Sequence, residues 1–96
     1  MFIIDVEYTA NLEQINAVLA EHRAWLDTYY QQGVFLFSGP RNPRTGGVII
    51  ARGSTKSELE HLMQQDPFAV HGVAKHHISE FQAIKTHPEL KQFIEN

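Results

Sequence analysis

Val34-Phe35-Leu36-Phe37-Ser38 and Val48-Ile49-Ile50-Ala51-Arg52 are the two segments whose reading decides the fold. Both are rich in β-branched and aromatic residues, the composition that suits a pleated strand. The intervening Gly39-Pro40-Arg41-Asn42-Pro43-Arg44-Thr45-Gly46-Gly47 is too long for a two-residue turn and suits an open hairpin loop. An antiparallel pair therefore sits at the centre of the chain. Within it, Phe35, Phe37, Ile49 and Ala51 alternate with Val34, Leu36, Val48 and Ile50, so both sides of the pair are apolar. A half-solvated antiparallel sheet carries polar residues on one face. The second face thus needs a cover, and in so short a chain the natural one is the same face of a second copy. A homodimer is expected.

Working outward, Phe2, Ile4, Val6 and Tyr8 alternate with Ile3, Asp5 and Glu7, the period-2 pattern of a strand with one apolar face. Asn11 with Gln14 three residues on is a capping-box start, and Gly33 is placed as the left-handed residue after a helix end. The helix between them has an apolar stripe of Leu12, Ile15, Val18, Leu19, Leu26 and Tyr29, and the gap in that stripe is filled by His22. On the other side, Thr55 and Glu58 repeat the capping box before Leu59, Leu62 and Met63. Seven residues beyond Leu59 the same stripe reaches Asp66. Pro67 pushes Asp66 out of helical geometry, so this second helix should stop near Gln65. Phe68 to Val73 reads as a short apolar linker, and Lys75 to Lys85 as a last strand with a bulge around Ser79 to Phe81. Residues 88–95 have helical spacing at Leu90 and Phe93.

The order strand, helix, strand, strand, helix, strand is the split arrangement of the ferredoxin-like α+β fold. It is a four-stranded antiparallel sheet with two helices on one face. The 96 residues form a single domain, spanning 1–96, that buries only about 60 to 65 % of its unfolded surface. At 43 % hydrophobic and 20 % charged the composition is that of a globular domain rather than a disordered one. A net charge of −3 with scattered Lys and Arg offers no stripe for a phosphate backbone, which excludes nucleic acid as the expected partner. No apolar run reaches the ~20 residues of a membrane span. Without cysteine there is no disulfide, thiolate metal site or Cys nucleophile. The chain opens directly on a strand-like run with no leader, and a cytoplasmic location is expected.

His22 and Asp66 are the ionisable residues in line with the apolar stripes of the two main helices. A carboxylate that accepts one imidazole N–H leaves the other nitrogen free to take a proton from a substrate. The same spacing also fits a structural core histidine and an aspartate that caps the end of helix two. Ser38 and Gly39, at the end of the second strand, could offer a hydroxyl and backbone N–H groups to a substrate oxygen. Arg41 and Arg44 in the hairpin loop could attract an anionic substrate, since guanidinium pairs bidentately with carboxylates. His71, His76 and His77 invite a metal reading, but His76 and His77 point to opposite faces of a strand, so no metal is expected. No phosphate-binding loop or dinucleotide fingerprint is present, and the expected chemistry needs no cofactor.

Taken together, His22-Arg23, Gly33, Ser38-Gly39-Pro40, Gly46-Gly47 and Asp66-Pro67-Phe68 in this order resemble the YciI-like (YCII-related) proteins over almost the whole chain. The resemblance implies a dimeric α+β barrel in which two sheets pack face to face. It also implies a cleft where His22 and Asp66 form a His-Asp dyad. The expected function is acid/base catalysis (isomerisation, elimination or hydrolysis) on a small, anionic cyclic metabolite. The alternative is a non-catalytic dimeric module that binds a small molecule or serves as an accessory domain.

Overall fold

A computed structural model describes residues 1–94. The elements follow the chain as β1 (Phe2–Tyr8), α1 (Leu12–Gln31), β2 (Phe35–Pro40), β3 (Gly46–Ala51), α2 (Lys56–Met63), α3 (Pro67–Val70) and β4 (Ala74–Glu80), with a 3₁₀ helix at Pro88–Phe93. The strands form one antiparallel sheet in the order β2-β3-β1-β4, the ferredoxin-like arrangement. Both capping boxes form: Asn11 and Thr55 each accept from the backbone three residues on, while Gln14 and Glu58 reach back. Gly33, at φ 76°, ends α1 as expected.

The core lies between the helices and one face of the sheet. Phe2, Ile4 and Val6 of β1, Ile49 and Ala51 of β3 and Phe35 of β2 meet Ile15, Val18 and Leu26 of α1, Leu59 and Met63 of α2, and Phe68 of α3. Gly46 is required where β3 crosses β1, because a Cβ there would lie 1.9 Å from the Val6 carbonyl oxygen.

Four sequence expectations are corrected. The bulge lies in β2 and not in β4: β1 and β4 pair without a break from Phe2 opposite Glu80 to Tyr8 opposite Ala74, whereas β2 shifts register against β3 between Phe35 and Phe37. That shift turns Phe35 to the core, with Ala51, and Phe37 to the opposite face, with Ile50. The two phenylalanines do not share a face. Second, β4 stops at Glu80 rather than Lys85, because β1 has no residues left to pair with; the last bond runs from Phe81 N–H to the Met1 carbonyl at 2.9 Å. Third, the apolar linker after Asp66 contains a helical turn, α3, closed by Gly72 at φ 68°. The hairpin loop is also shorter than its composition suggests, since Gly39, Pro40, Gly46 and Gly47 belong to the ladder.

The far face of the sheet is turned away from α1, α2 and α3, which pack on the core side. At one end it presents Ile3 and Phe37, 39 % and 55 % exposed, beside half-buried Ile50. At the other end Arg41 bridges to Asp5 at 2.6 Å and His77 to Glu7 at 3.0 Å. The C-terminal 3₁₀ helix is held by Arg52, whose guanidinium lies 5.4 Å over the Phe93 ring and donates to the Gln92 carbonyl. Position 95, expected to end this helix, lies outside the described residues. Among the described residues no helix is long and apolar enough to cross a membrane.

Candidate active site

His22 belongs to the buried stripe of α1, with Val18 one turn before it and Leu26 one turn after. Asp66 follows α2, where Pro67 holds it in an extended conformation with φ −56° and ψ 127°. Its Oδ1 accepts the Phe68 N–H at 3.0 Å, so Asp66 caps α3 rather than the end of α2. The same oxygen lies 2.7 Å from His22 Nδ1. Capping and pairing are thus two uses of one carboxylate.

Asp66 is wholly buried. Burial acts to raise its pKa, but hydrogen bonds from His22 and His76, attraction to His22 and the Phe68 N–H outweigh it and hold the carboxyl below its ordinary value of 3.8. At neutral pH Asp66 is therefore an anion that only accepts, and the His22 nitrogen facing it must carry the proton. In the neutral ring Nε2 is then left with a lone pair. The Phe68 ring stacks on the imidazole at 3.9 Å between centroids and 5° between planes, which sets the orientation of the ring.

His22 lines a cavity of about 660 Å³ bounded by α1, the ends of β2 and β3, the hairpin loop and α3. Leu19, Leu26, Ile49, Pro40 and Phe68 form apolar walls, whereas Arg23, Asp27, Tyr30, Ser38 and Arg44 supply polar groups. Ser38 reaches the cavity because of the β2 bulge, which turns it to the helix side opposite Ile49. There its hydroxyl bonds the Tyr30 hydroxyl. Gly39 lines the cavity beside it. Arg44 is steadied by Asn16 Oδ1 at 2.7 Å. Arg41 does not line the cavity; its Nε and Nη2 donate to Asp5 on the far face at 3.0 and 2.6 Å.

The structure thus brings His22, Asp66, Ser38, Gly39 and Arg44 together and sends Arg41 elsewhere. Sequence reasoning gave no site role to Arg23, Asp27 or Tyr30: Arg23 and Asp27 are exposed on α1 and left no apolar-stripe signal, and half-buried Tyr30 packs against the core. It also passed over His76 as a partner of Asp66. His76 Nε2 lies 2.9 Å from Asp66 Oδ2, and the signal was its place in the inward set Ala74, His76, Ile78 of β4. His77, on the other face, pairs with Glu7, and His71 lies 3.4 Å from Glu21. Among the described residues no group of three or more His, Cys, Asp or Glu side chains is arranged to hold a metal ion.

The sequence model of the YCII-related domain matches residues 1–82, and the chain belongs to that family. No functionally curated protein matches it. Among solved structures it is similar to 5-chloro-2-hydroxyhydroquinone dehydrochlorinase (TftG) from Burkholderia phenoliruptrix AC1100, solved in complex with 2,5-dihydroxybenzoquinone. The TM-score is 0.70 at 19 % identity, covering 83 % of this chain and 91 % of that one. At this identity the likeness shows a shared fold.

Proposed function

We propose that this protein is a cofactor-free enzyme that performs acid/base chemistry on a small, anionic cyclic metabolite, with elimination as the leading reaction type. The observation that carries the reading is the His22 to Asp66 hydrogen bond at the wall of a cavity large enough for a ring compound. His22 Nε2 removes a proton from the ring carbon adjacent to the one that bears the leaving group; the C–H electron pair forms a new carbon–carbon double bond and the leaving group departs with its own pair. His22 then returns its proton to solvent or to the product. Asp66 fixes the tautomer and balances the transient imidazolium. Ser38, supported by Tyr30, and the backbone at Gly39 take the substrate oxygen on which charge collects. Arg23 and Arg44 bind the anionic group at the rim. The similarity to a dehydrochlorinase supports elimination and a cyclic substrate as the first class to test. The far face of the sheet, with Ile3, Ile50 and Phe37, is covered by the same face of a second copy.

The test is a screen of hydroxylated, halogenated quinols and related ring acids for turnover, followed by His22→Ala. The variant is expected to keep its fold and to lose roughly 10² to 10⁴ in rate. Full activity in a folded His22→Ala protein sinks the assignment. Tight binding of ring compounds without turnover, unaffected by His22→Ala, makes the protein a binding module instead.

A further inference from the structure

His76 does not line the cavity, yet it holds the oxygen of Asp66 that His22 leaves unused. The register of β4 places it opposite Val6 on the core side of the sheet, and its side chain is 9 % exposed. Its Nε2 lies 2.9 Å from Asp66 Oδ2, while His22 Nδ1 and the Phe68 N–H both address Oδ1. The torsion about a carboxylate's last bond is broad, so donors on one oxygen alone leave the plane of the group poorly fixed. A donor on each oxygen fixes it. Because Asp66 is fully buried, no water can replace the second donor without entering the core. Together with His22 and the Phe68 N–H, His76 is also among the groups that keep Asp66 ionised against burial.

We infer that His76 is a positioning residue: its Nε2–H pins Asp66 Oδ2, so that Oδ1 stays on His22 Nδ1 and the His22 tautomer with a free Nε2 is enforced. The catalytic consequence rests on the reading of His22 as the base, but the positioning itself does not. Three donors from three elements, α1, α3 and β4, converge on one carboxylate and make the dyad the visible half of a His22–Asp66–His76 array.

The experiment is imidazole ¹H/¹⁵N NMR of the ligand-free protein in His76→Gln, His76→Asn and His76→Leu variants. A glutamine places its Nε2–H where the imidazole carries its own; asparagine is too short to do so, and leucine has no donor. His76→Gln is expected to keep the protected Nδ1–H resonance of His22 and the shift of an unprotonated Nε2. His76→Asn and His76→Leu are expected to lose that resonance and to show mixed tautomers. A folded His76→Leu protein with the wild-type pattern overturns the inference, as does a folded His76→Gln protein without it. If the leucine variant does not fold, identical patterns in the asparagine and glutamine variants overturn it equally. With a turnover substrate in hand, His76→Asn should lower kcat with KM unchanged and His76→Gln restore it. Wild-type protein that turns nothing over overturns the enzymatic reading alone, because the NMR result requires no substrate.

Discussion

Asp66 accepts from His22, His76 and the Phe68 N–H, so its charge bears directly on stability. A fully buried carboxylate should resist ionising, yet the histidine and backbone donors around it reverse that tendency and depress its pKa. The sign for folding follows from linkage. A depressed folded-state value means that the unfolded chain binds the proton more tightly, so the contribution of Asp66 is complete above the ordinary carboxyl value of 3.8 and is lost as pH falls from there through the folded value. Asp66→Asn should therefore lower stability near neutral pH by about 1–3 kcal/mol, since an amide cannot accept from both imidazoles. The difference in unfolding free energy between wild type and variant should shrink below about pH 4. Denaturant melts of both proteins between pH 3 and pH 7 check this, and a difference that grows toward acid would contradict it. At the rim, Arg23→Gln or Arg44→Gln should raise KM for an anionic substrate by roughly tenfold with kcat little changed, the mark of uniform binding. A fall in kcat at unchanged KM would instead place the guanidinium at the reacting atoms. His22 and Asp66 were legible because an ionisable residue inside an apolar stripe is conspicuous. Arg41 was not, because the direction of a loop arginine is set by a partner 36 positions away, Asp5, which leaves no local trace.

At the scale of the elements, what could be read was what is locally determined. Capping boxes act over three residues and Gly33 over one, and all of them hold in the structure. What could not be read depends on a neighbouring strand. The β2 bulge exists only against the register of β3, and β4 ends where β1 has no residue left to pair. The bulge has the larger effect on the cavity, because regular alternation would have sent Ser38 to the far face and Phe37 into the core. The approach of β1 to β3 at Gly46 belongs to the same class, and it gives a test of how tightly the ladder is built. Gly46→Ala sets a methyl 1.9 Å from the Val6 carbonyl oxygen, a backbone atom with no side-chain freedom to yield. A destabilisation of about 1–3 kcal/mol is expected, as for other overpacked sites, with a larger loss if the ladder must open. Thermal unfolding of the variant measures it; an unchanged melting temperature would show that β3 can slide away from β1 at no cost.

For the whole molecule the far face of the sheet is the surface that decides assembly. The apolar end is formed by the laterally paired Ile3, Ile50 and Phe37, one residue from each of β1, β3 and β2, so it is a contiguous patch and not a scatter of exposed side chains. The ionic end, Asp5 with Arg41 and Glu7 with His77, is internally neutralised wherever the imidazole is charged, so it can approach a copy of itself without strong repulsion. A two-fold axis through such a face brings each patch onto its counterpart, and a stable interface of this kind buries about 800 Å² per partner. The particle in solution should accordingly have twice the 11.0 kDa mass of the chain. Phe37→Lys and Ile50→Lys should each return it to the single-chain mass, because an unpaired ammonium would be buried in the apolar part of the contact. Light scattering after gel filtration over a tenfold concentration range decides this: a wild-type mass of one chain at every concentration refutes the dimer, and a Phe37→Lys protein that stays dimeric refutes this face. The site residues His22, Asp66, His76, Ser38 and Tyr30 all come from one chain and lie on the helix side of the sheet. A folded Phe37→Lys monomer should therefore keep the wild-type His22 tautomer in the same NMR measurement. Loss of that tautomer on dissociation would mean that the second copy, through the sheet, helps to hold the dyad in place.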